Sequence, residues 1–352
     1  MIDRLIKENK SFALYRLPQE NHIHFLMQHT NTSELIYQIE ALNNANAYIM
    51  APFNITAGHP IVLIRPDKEE ILPIPEDSVP QEHTTAIDTC VSDNYKYRFT
   101  IFLNALKENK FDKLVLSRQK AIQKDAYFSP ANAFYTACRK YIYSYVYICH
   151  TPQTGTWIGC TPEILLSGRN RQWQTVALAG TQPLIENKLP TKWDNKNKLE
   201  QYMVADYIRC QLNSYHIPFS ENGPYTVRAG KLAHLKSEFL FQLPENHLIA
   251  SLLNDLHPTP AICGLPKSDA QQFILENEGY DRSYYSGFIG RLQPDSDSDI
   301  YVNLRCMQIL EKQLILYAGG GIMPSSSLED EWLETENKLQ TMLTLSKSNA
   351  HG

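Results

Sequence analysis

The sequence contains no apolar run approaching the ~20 residues that a membrane-spanning helix needs. Its first residues, MIDRLIKENK, carry charge where a secretory leader would be apolar, so no leader is expected. The seven cysteines are scattered, odd in number and without a C-x-x-C pair, which suits reduced thiols rather than disulfides. A cytoplasmic location is the resulting expectation. No basic excess is present: the formal net charge is -5, so no nucleic-acid partner is expected. The chain also lacks G-x-S-x-G, G-x-G-x-x-G, a G-K-[ST] after its glycine run, and any H-x-x-x-H pair. Those absences speak against a nucleophile-elbow hydrolase, a nucleotide loop and a zinc centre.

What is present is ordinary globular material: 352 residues, 43% hydrophobic and 20% charged, enough for one large domain or two medium ones. Residues 1–85 alternate short apolar runs such as NAYIMAPF and HPIVLIRP with polar loops, and read as a strand-rich N-terminal section. The stretch PIPEDSVPQEHTT (73–85) reads as a surface linker, and 86–348 as the main body. Helical spacing predicts helices at YKYRFTIFLNALKEN, at SPANAFYTACRKY with Ser129 as cap and Pro130 first, at DNKNKLEQYMVADYIRCQLNSYH and at KSDAQQFILENE. Strands are expected at FDKLVLSRQKAI, YSYVYICHT, TWIGCTPEILLSG, RQWQTVALAGT, YTVRAGKLAHLKSEFLFQL and DIYVNLRCMQILEKQLILYAG, the last turning as a hairpin at EKQ. The acidic QPDSDSD reads as a solvated turn. Strands outnumber helices and several are sequential, which favours an antiparallel α+β layout over βαβ units.

Some residues are out of place for a plain core. Glu200 shares an apolar helical stripe with Val204 and Ile208, and a carboxylate there needs a cation, a metal or a hydrogen-bond partner, unless it merely rims the stripe. On the C-terminal helix Glu331, Glu334 and Lys338 share a face, which solvated ion pairs would also explain. Just before that helix stand three glycines, Gly319 to Gly321, read as a turn that allows a close backbone approach. Glu163 follows Thr-Pro, Lys113 opens an apolar strand, and His234 and His257 are each compatible with plain packing.

In order along the chain, DKLVLSR, TPEILLS, ALAGT, LHPTPAICGLPK, YDRSYYSGFIG, YAGGGI and EWLETENKL together resemble the chorismate-utilising enzyme family, over roughly residues 90–345. The resemblance implies a single large α+β domain: two packed antiparallel sheets with helices on the outside. It implies chorismate as substrate and Mg2+ as cofactor, held by Glu200 and Glu334, the residue after Glu200 being Gln201 where relatives often have histidine. Mg2+ prefers few carboxylates together with water and substrate oxygen.

The resemblance also assigns the chemistry. Loss of the C4 hydroxyl needs a general acid, because hydroxide leaves poorly; Glu163 would be that acid, with a raised pKa. Adding water at C2 needs a base, and Lys113 matches the lysine of the isochorismate- and salicylate-forming members. A lysine base must be neutral at work, which burial or nearby positive charge favours. Ala179 stands where a nucleophilic lysine would mark an aminating member, and Ala261-Ile262 resemble the apolar version of a region that carries threonine in pyruvate-eliminating members. Arg305, the amides of Gly319, Gly320 and Gly321, and Lys338 would hold carboxylates, with Gly180, Thr181, His234, Ala261, Ile262 and Tyr317 around the substrate.

The implied activity is therefore reversible, Mg2+-dependent conversion of chorismate to isochorismate, with menaquinone biosynthesis as the expected destination and a siderophore pathway as the other. Salicylate formation with release of pyruvate is the nearest competitor, and a decayed chorismate-binding protein is the non-enzymatic one. No glutaminase subunit is expected, and a monomer is plausible.

Overall fold

A computed structural model describes residues 1–76, 86–169, 171–184, 186, 188–230 and 232–347. Most of the linker read at 73–85 thus lies outside the described residues. In chain order the first elements are α1 (Ile2–Lys7), β1 (Phe12–Arg16), β2 (His22–Met27), β3 (Glu34–Ile36), β4 (Ala47–Ala51), β5 (Ile61–Ile64) and β6 (Lys68–Pro73). Next come α2 (Asp93–Lys107), β7 (Lys113–Gln123), α3 (Pro130–Lys140), β8 (Tyr145–Thr151), β9 (Gly155–Thr161), β10 (Ile164–Arg169) and β11 (Gln172–Pro183). They are followed by α4 (Asn195–Ser214), β12 (Phe219–Ala229), β13 (Leu232–Gln242), α5 (Leu248–Leu256), β14 (Gly264–Leu265) and α6 (Lys267–Asn277). The chain closes with β15 (Phe288–Leu292), β16 (Ser298–Val302), β17 (Cys306–Ile309), β18 (Gln313–Ile322) and α7 (Leu328–Leu345).

The strands form two antiparallel nine-stranded sheets, β14-β7-β18-β17-β9-β8-β1-β2-β6 and β12-β13-β11-β10-β16-β15-β4-β5-β3. The N-terminal strands are added to one end of both sheets. An aromatic core joins the sheets, with Tyr15, Tyr145, Tyr147, Trp157 and Tyr317 from the first facing Tyr48, Ile289 and Tyr301 from the second. The outer faces are covered separately. Helices α1, α3 and α7 pack on the first sheet, and α4 and α5 on the second, each burying an apolar stripe. Among the described residues no helix is long and apolar enough to cross a membrane.

Local signals account for several helix starts. Ser129, Asp194 and Ser327 cap α3, α4 and α7 by accepting from backbone amides three residues on, and Pro130 stands at the first position of α3. Helix α5, an apolar LIASLLNDL, has no side-chain cap and was not foreseen.

Three expectations need correction, the first two with a bearing on the site. TWIGCTPEILLSG is two strands, β9 in the first sheet and β10 in the second, with Pro162 and Glu163 at the crossing. DIYVNLRCMQI likewise splits into β16 and β17, in different sheets, and crosses at 303–305, where Arg305 has left-handed backbone (φ 47°). Apolar content alone cannot show where a strand changes sheet. Finally, QPDSDSD is not wholly solvated. Ser298 and Asp299 already pair in β16, and Asp299 is buried and accepts from Ser167 (3.0 Å) and from Arg169.

Candidate active site

The two crossings are joined to each other. Val302 N–H donates to the Glu163 carbonyl (2.9 Å), and Cys160 N–H donates to the Arg305 carbonyl (3.0 Å). A general-acid candidate and a guanidinium are thereby fixed at the wall of one pocket between the sheets. That pocket is also lined by Gly180, Thr181, Glu200, His234, Ala261 and Ile262. On the β18 side it is closed by Tyr317, Gly319, Gly321 and Lys338. Of the residues singled out in the sequence, Lys113, Glu334 and Gly320 do not line it directly, and each sits one contact behind a residue that does. His257 lies outside it, buried, with Nε2 3.2 Å from the Pro52 carbonyl.

Glu163 is 3% exposed, and burial pushes its carboxyl up to about 7 against the opposing pull of a Thr259 hydrogen bond (3.3 Å), Lys113 and Lys338. His234 is neutral. Burial first, and then the charges of Arg305 and Lys338, lower it to about 3. The network sets its tautomer: Nδ1–H donates to the Gly180 carbonyl (3.0 Å), with Thr181 Oγ1 3.3 Å away, and Nε2 accepts from Arg305 Nη2 (3.2 Å). The bulge that offers this carbonyl depends on Gly180. It has φ 74°, drops out of the β11–β13 register, and a Cβ there would lie 3.0 Å from the Asn197 carbonyl oxygen.

The glycine run is not a turn. Gly319, Gly320 and Gly321 lie within β18, opposite Ser117, Leu116 and Val115 of β7. The turn before α7 is at 323–327. Ser117 N–H donates to Glu278 (2.6 Å) and Val115 N–H to the Cys263 carbonyl (2.8 Å), both directed away from β18. In an antiparallel ladder this makes Gly319 and Gly321 the non-hydrogen-bonded pairs, so their amides face the edge away from β7, while those of Gly320 serve the ladder. Lys338 Nζ accordingly donates to the Gly319 carbonyl (2.7 Å). The amides left free of the β7 ladder are thus those of Gly319 and Gly321, while that of Gly320 is taken up by it.

The missing Cβ atoms serve a second purpose. A Cβ on Gly321 would lie 2.2 Å from Glu200 Oε1 and 3.0 Å from Lys113 Cε, and one on Gly320 would lie 3.1 Å from Glu331 Oε2 and 3.5 Å from Glu334 Oε1. The smooth strand therefore makes room for three carboxylates. Each is matched by a lysine. Lys113 Nζ lies 2.8 Å from Glu200 Oε1, though out of line for a hydrogen bond; Lys196 pairs with Glu331; Lys338 donates to Glu334 (2.6 Å). Burial raises the Glu331 carboxyl to about 7, helped by the charge of Glu334. For Glu334 burial pushes up, but Lys338, Lys196 and Arg305 outweigh it and hold it low. Lys113 is fully buried as foreseen, yet the charge beside it is a carboxylate rather than a cation.

Glu200 is indeed inside the α4 stripe with Val204 and Ile208, while Leu199 is exposed. Gln201, in place of the expected histidine, donates to Ser237 Oγ (2.8 Å). Other residues of the acidic helix are held elsewhere, as with Glu336, fully buried against Arg118 and Lys120. Sequence reasoning missed Lys196, though it stands one helical turn before Glu200. It also missed Tyr285, Ser286 and Leu304, pocket residues on irregular segments that carry no periodic signal.

The carboxylate cluster fits Mg2+. It offers hard oxygen donors, one of them, Glu331 Oε2, buried without a partner, around a strand whose consecutive glycines leave both faces clear of side chains.

The profile of the chorismate binding enzyme family matches residues 43–346. The isochorismate synthase EntC of Escherichia coli K12 is 30% identical over 245 residues, 66% of this chain and 62% of its own length. The isochorismate synthase MenF of the same organism is 31% identical over 253 residues, 68% and 57% respectively. The chain thus aligns with about three fifths of the length of these relatives. A Bacillus anthracis protein described as a 2,3-dihydroxybenzoate-specific isochorismate synthase shares the fold at TM-score 0.80 and 23% identity, covering 98% of this chain and 99% of that one. The menaquinone-specific MenF structure from Escherichia coli shares it at TM-score 0.78 and 20% identity, covering 96% and 89%. This chain belongs to the chorismate binding enzyme family.

Proposed function

We propose that this protein is an isochorismate synthase, which isomerises chorismate to isochorismate with Mg2+. The observation that carries the reading is Glu163: a buried carboxylic acid with its pKa near 7, at the wall of a pocket that also presents Arg305. In the reaction a water oxygen bonds to ring C2, the double bond shifts, and the C4–O bond breaks. Glu163 gives its proton to the departing hydroxyl, which leaves as water, and Lys113 takes a proton from the attacking water. Both residues return to their starting states by exchange with solvent.

Arg305 and the free amides of Gly319 and Gly321 hold the substrate carboxylates. His234, neutral and fixed by Gly180 and Arg305, keeps that guanidinium aimed at the pocket. Glu200 and Glu334 would hold Mg2+, which supplies positive charge for a substrate carboxylate. Ala261 and Ile262 keep that wall apolar, which supports isomerisation over elimination of pyruvate. The names of the relatives support the same reading.

The test is direct. Purified protein with chorismate and Mg2+ is expected to give isochorismate, with loss of turnover on Mg2+ removal. Salicylate plus pyruvate would point to the eliminating reaction, and chorismate binding without product to a non-catalytic binder. For the destination our reading is menaquinone: a disruption strain should lose it, and loss of a catechol siderophore instead would move the enzyme to that pathway.

A further inference from the structure

Far from the pocket, Glu20-Asn21-His22-Ile23-His24 runs from a turn into β2. His22 and His24 are two apart on a strand, so both imidazoles leave the same face. Leu26 continues that series into the core between the sheets, which makes it the inner face. Glu20 reaches back to both rings. Its Oε2 lies 3.3 Å from His22 Nε2 and 3.0 Å from His24 Nε2, and the three ligand atoms are all within 4.8 Å of one another.

Two neighbours orient the rings. Asn21 Oδ1 lies 3.4 Å from His22 Nδ1, which favours the proton on Nδ1 and leaves the Nε2 lone pair directed at Glu20. Tyr15 stacks flat on His24, with centroids 4.7 Å apart and planes 8° apart. An imidazole whose inner nitrogen carries the proton cannot donate from Nε2 to a carboxylate. A metal ion between His22 and Glu20 turns that contact into coordination, as a second ring proton would turn it into an ion pair.

We propose that Glu20, His22 and His24 form a second metal site, for a borderline divalent ion such as Zn2+. Bonds of about 2.0–2.1 Å in a tetrahedral set place ligand atoms about 3.3 Å apart, and two of the separations here are already 3.0 and 3.3 Å. Two imidazoles and one carboxylate leave the fourth position for water at this half-buried edge. The nitrogen donors select Zn2+, Co2+ or Ni2+ over Mg2+, which the all-oxygen cluster takes. The sites are separate: β2 lies five strands from β18 in the first sheet, roughly 24 Å at the usual strand spacing. A bound ion would tie the β1–β2 turn to β2, next to the edge strand β6.

The probe is Co2+, titrated into tag-free full-length protein in excess Mg2+ and followed by visible absorption, with Zn2+ as competitor. One Co2+ per chain with a tetrahedral spectrum is expected, displaced by Zn2+. His22→Ala and His24→Ala should each weaken binding at least about tenfold; His24→Gln serves where alanine disturbs the fold. The double variant Glu200→Gln/Glu334→Gln should bind Co2+ as the parent does. Absence of binding, equal affinity in the histidine variants, or loss in the double glutamine variant would each overturn the proposal.

Discussion

Glu163 shows how one residue depends on its surroundings. Its neighbours in the sequence, Pro162 and Ile164, suggest only a strand start, and what sets its chemistry is burial at a crossing between sheets. Glu163→Gln keeps the shape and removes the proton, so kcat should fall about 10²–10⁴-fold. Lys113→Ala should reduce turnover comparably, with the far-UV circular dichroism of the parent. Glu163 must be protonated to act, so kcat/KM should decline as pH rises through about 7. The stability sign follows the same direction. A carboxyl raised from 4.5 to about 7 contributes stability that is fully present below 4.5 and is lost as pH rises through 7. Glu331 is raised in the same sense, so denaturant midpoints should fall across that window, and less steeply in Glu163→Gln.

At the scale of elements, β18 and α7 together build the carboxylate-rich side of the pocket. The strand contributes an absence of side chains and the helix contributes carboxylates. Gly321→Ala would press a methyl against Glu200 Oε1, so the Mg2+ concentration for half-maximal activity should rise at least about tenfold with little change in melting temperature. Gly320→Ala, at 3.1 Å from Glu331, should be milder. The orientation of α7 depends on its cap. Ser327 Oγ accepts from Asp330 N–H (3.2 Å) and donates to its carboxylate (2.6 Å), and Ser327→Ala should cost about 1 kcal/mol in urea denaturation. Helix faces were legible here because a period of 3.6 is visible in the sequence. The split of β9 from β10 and of β16 from β17 was not, because a strand that changes sheet keeps the same apolar character across the crossing.

At the scale of the molecule, the strand that carries Lys113 is anchored by a buried ion pair. Glu278 and Arg282 are each under 5% exposed and bonded side-on, with Nε and Nη2 of Arg282 donating to the two oxygens of Glu278. Glu278 also accepts from Ser117 N–H and Oγ, and Arg282 donates to the Val115 and Ile262 carbonyls. Glu278→Gln leaves a buried guanidinium without its counter-charge, and should lower unfolding free energy by about 3 kcal/mol or more. Neither residue was singled out in the sequence, although they stand four apart. The i, i+4 spacing of Glu and Arg is common on solvated helices, and only the tertiary contacts show this pair to be interior.

The sequence by itself indicated the fold class, the starts of capped helices such as α3 and the groups proposed to react, because capping, periodicity and ordered motifs are local properties of the chain. It also marked Glu200 as unusual, since a carboxylate in an apolar stripe stands out without any neighbour. The tertiary structure decided which of Gly319, Gly320 and Gly321 present free amides, since that depends on the register with β7. It decided that Glu163 is held as an acid, since desolvation comes from both sheets. It also matched Glu200 with Lys113 and Glu331 with Lys196, residues far apart in the chain that meet only when β7, α4 and α7 are packed together, whereas Glu334 and Lys338 stand one turn apart on α7.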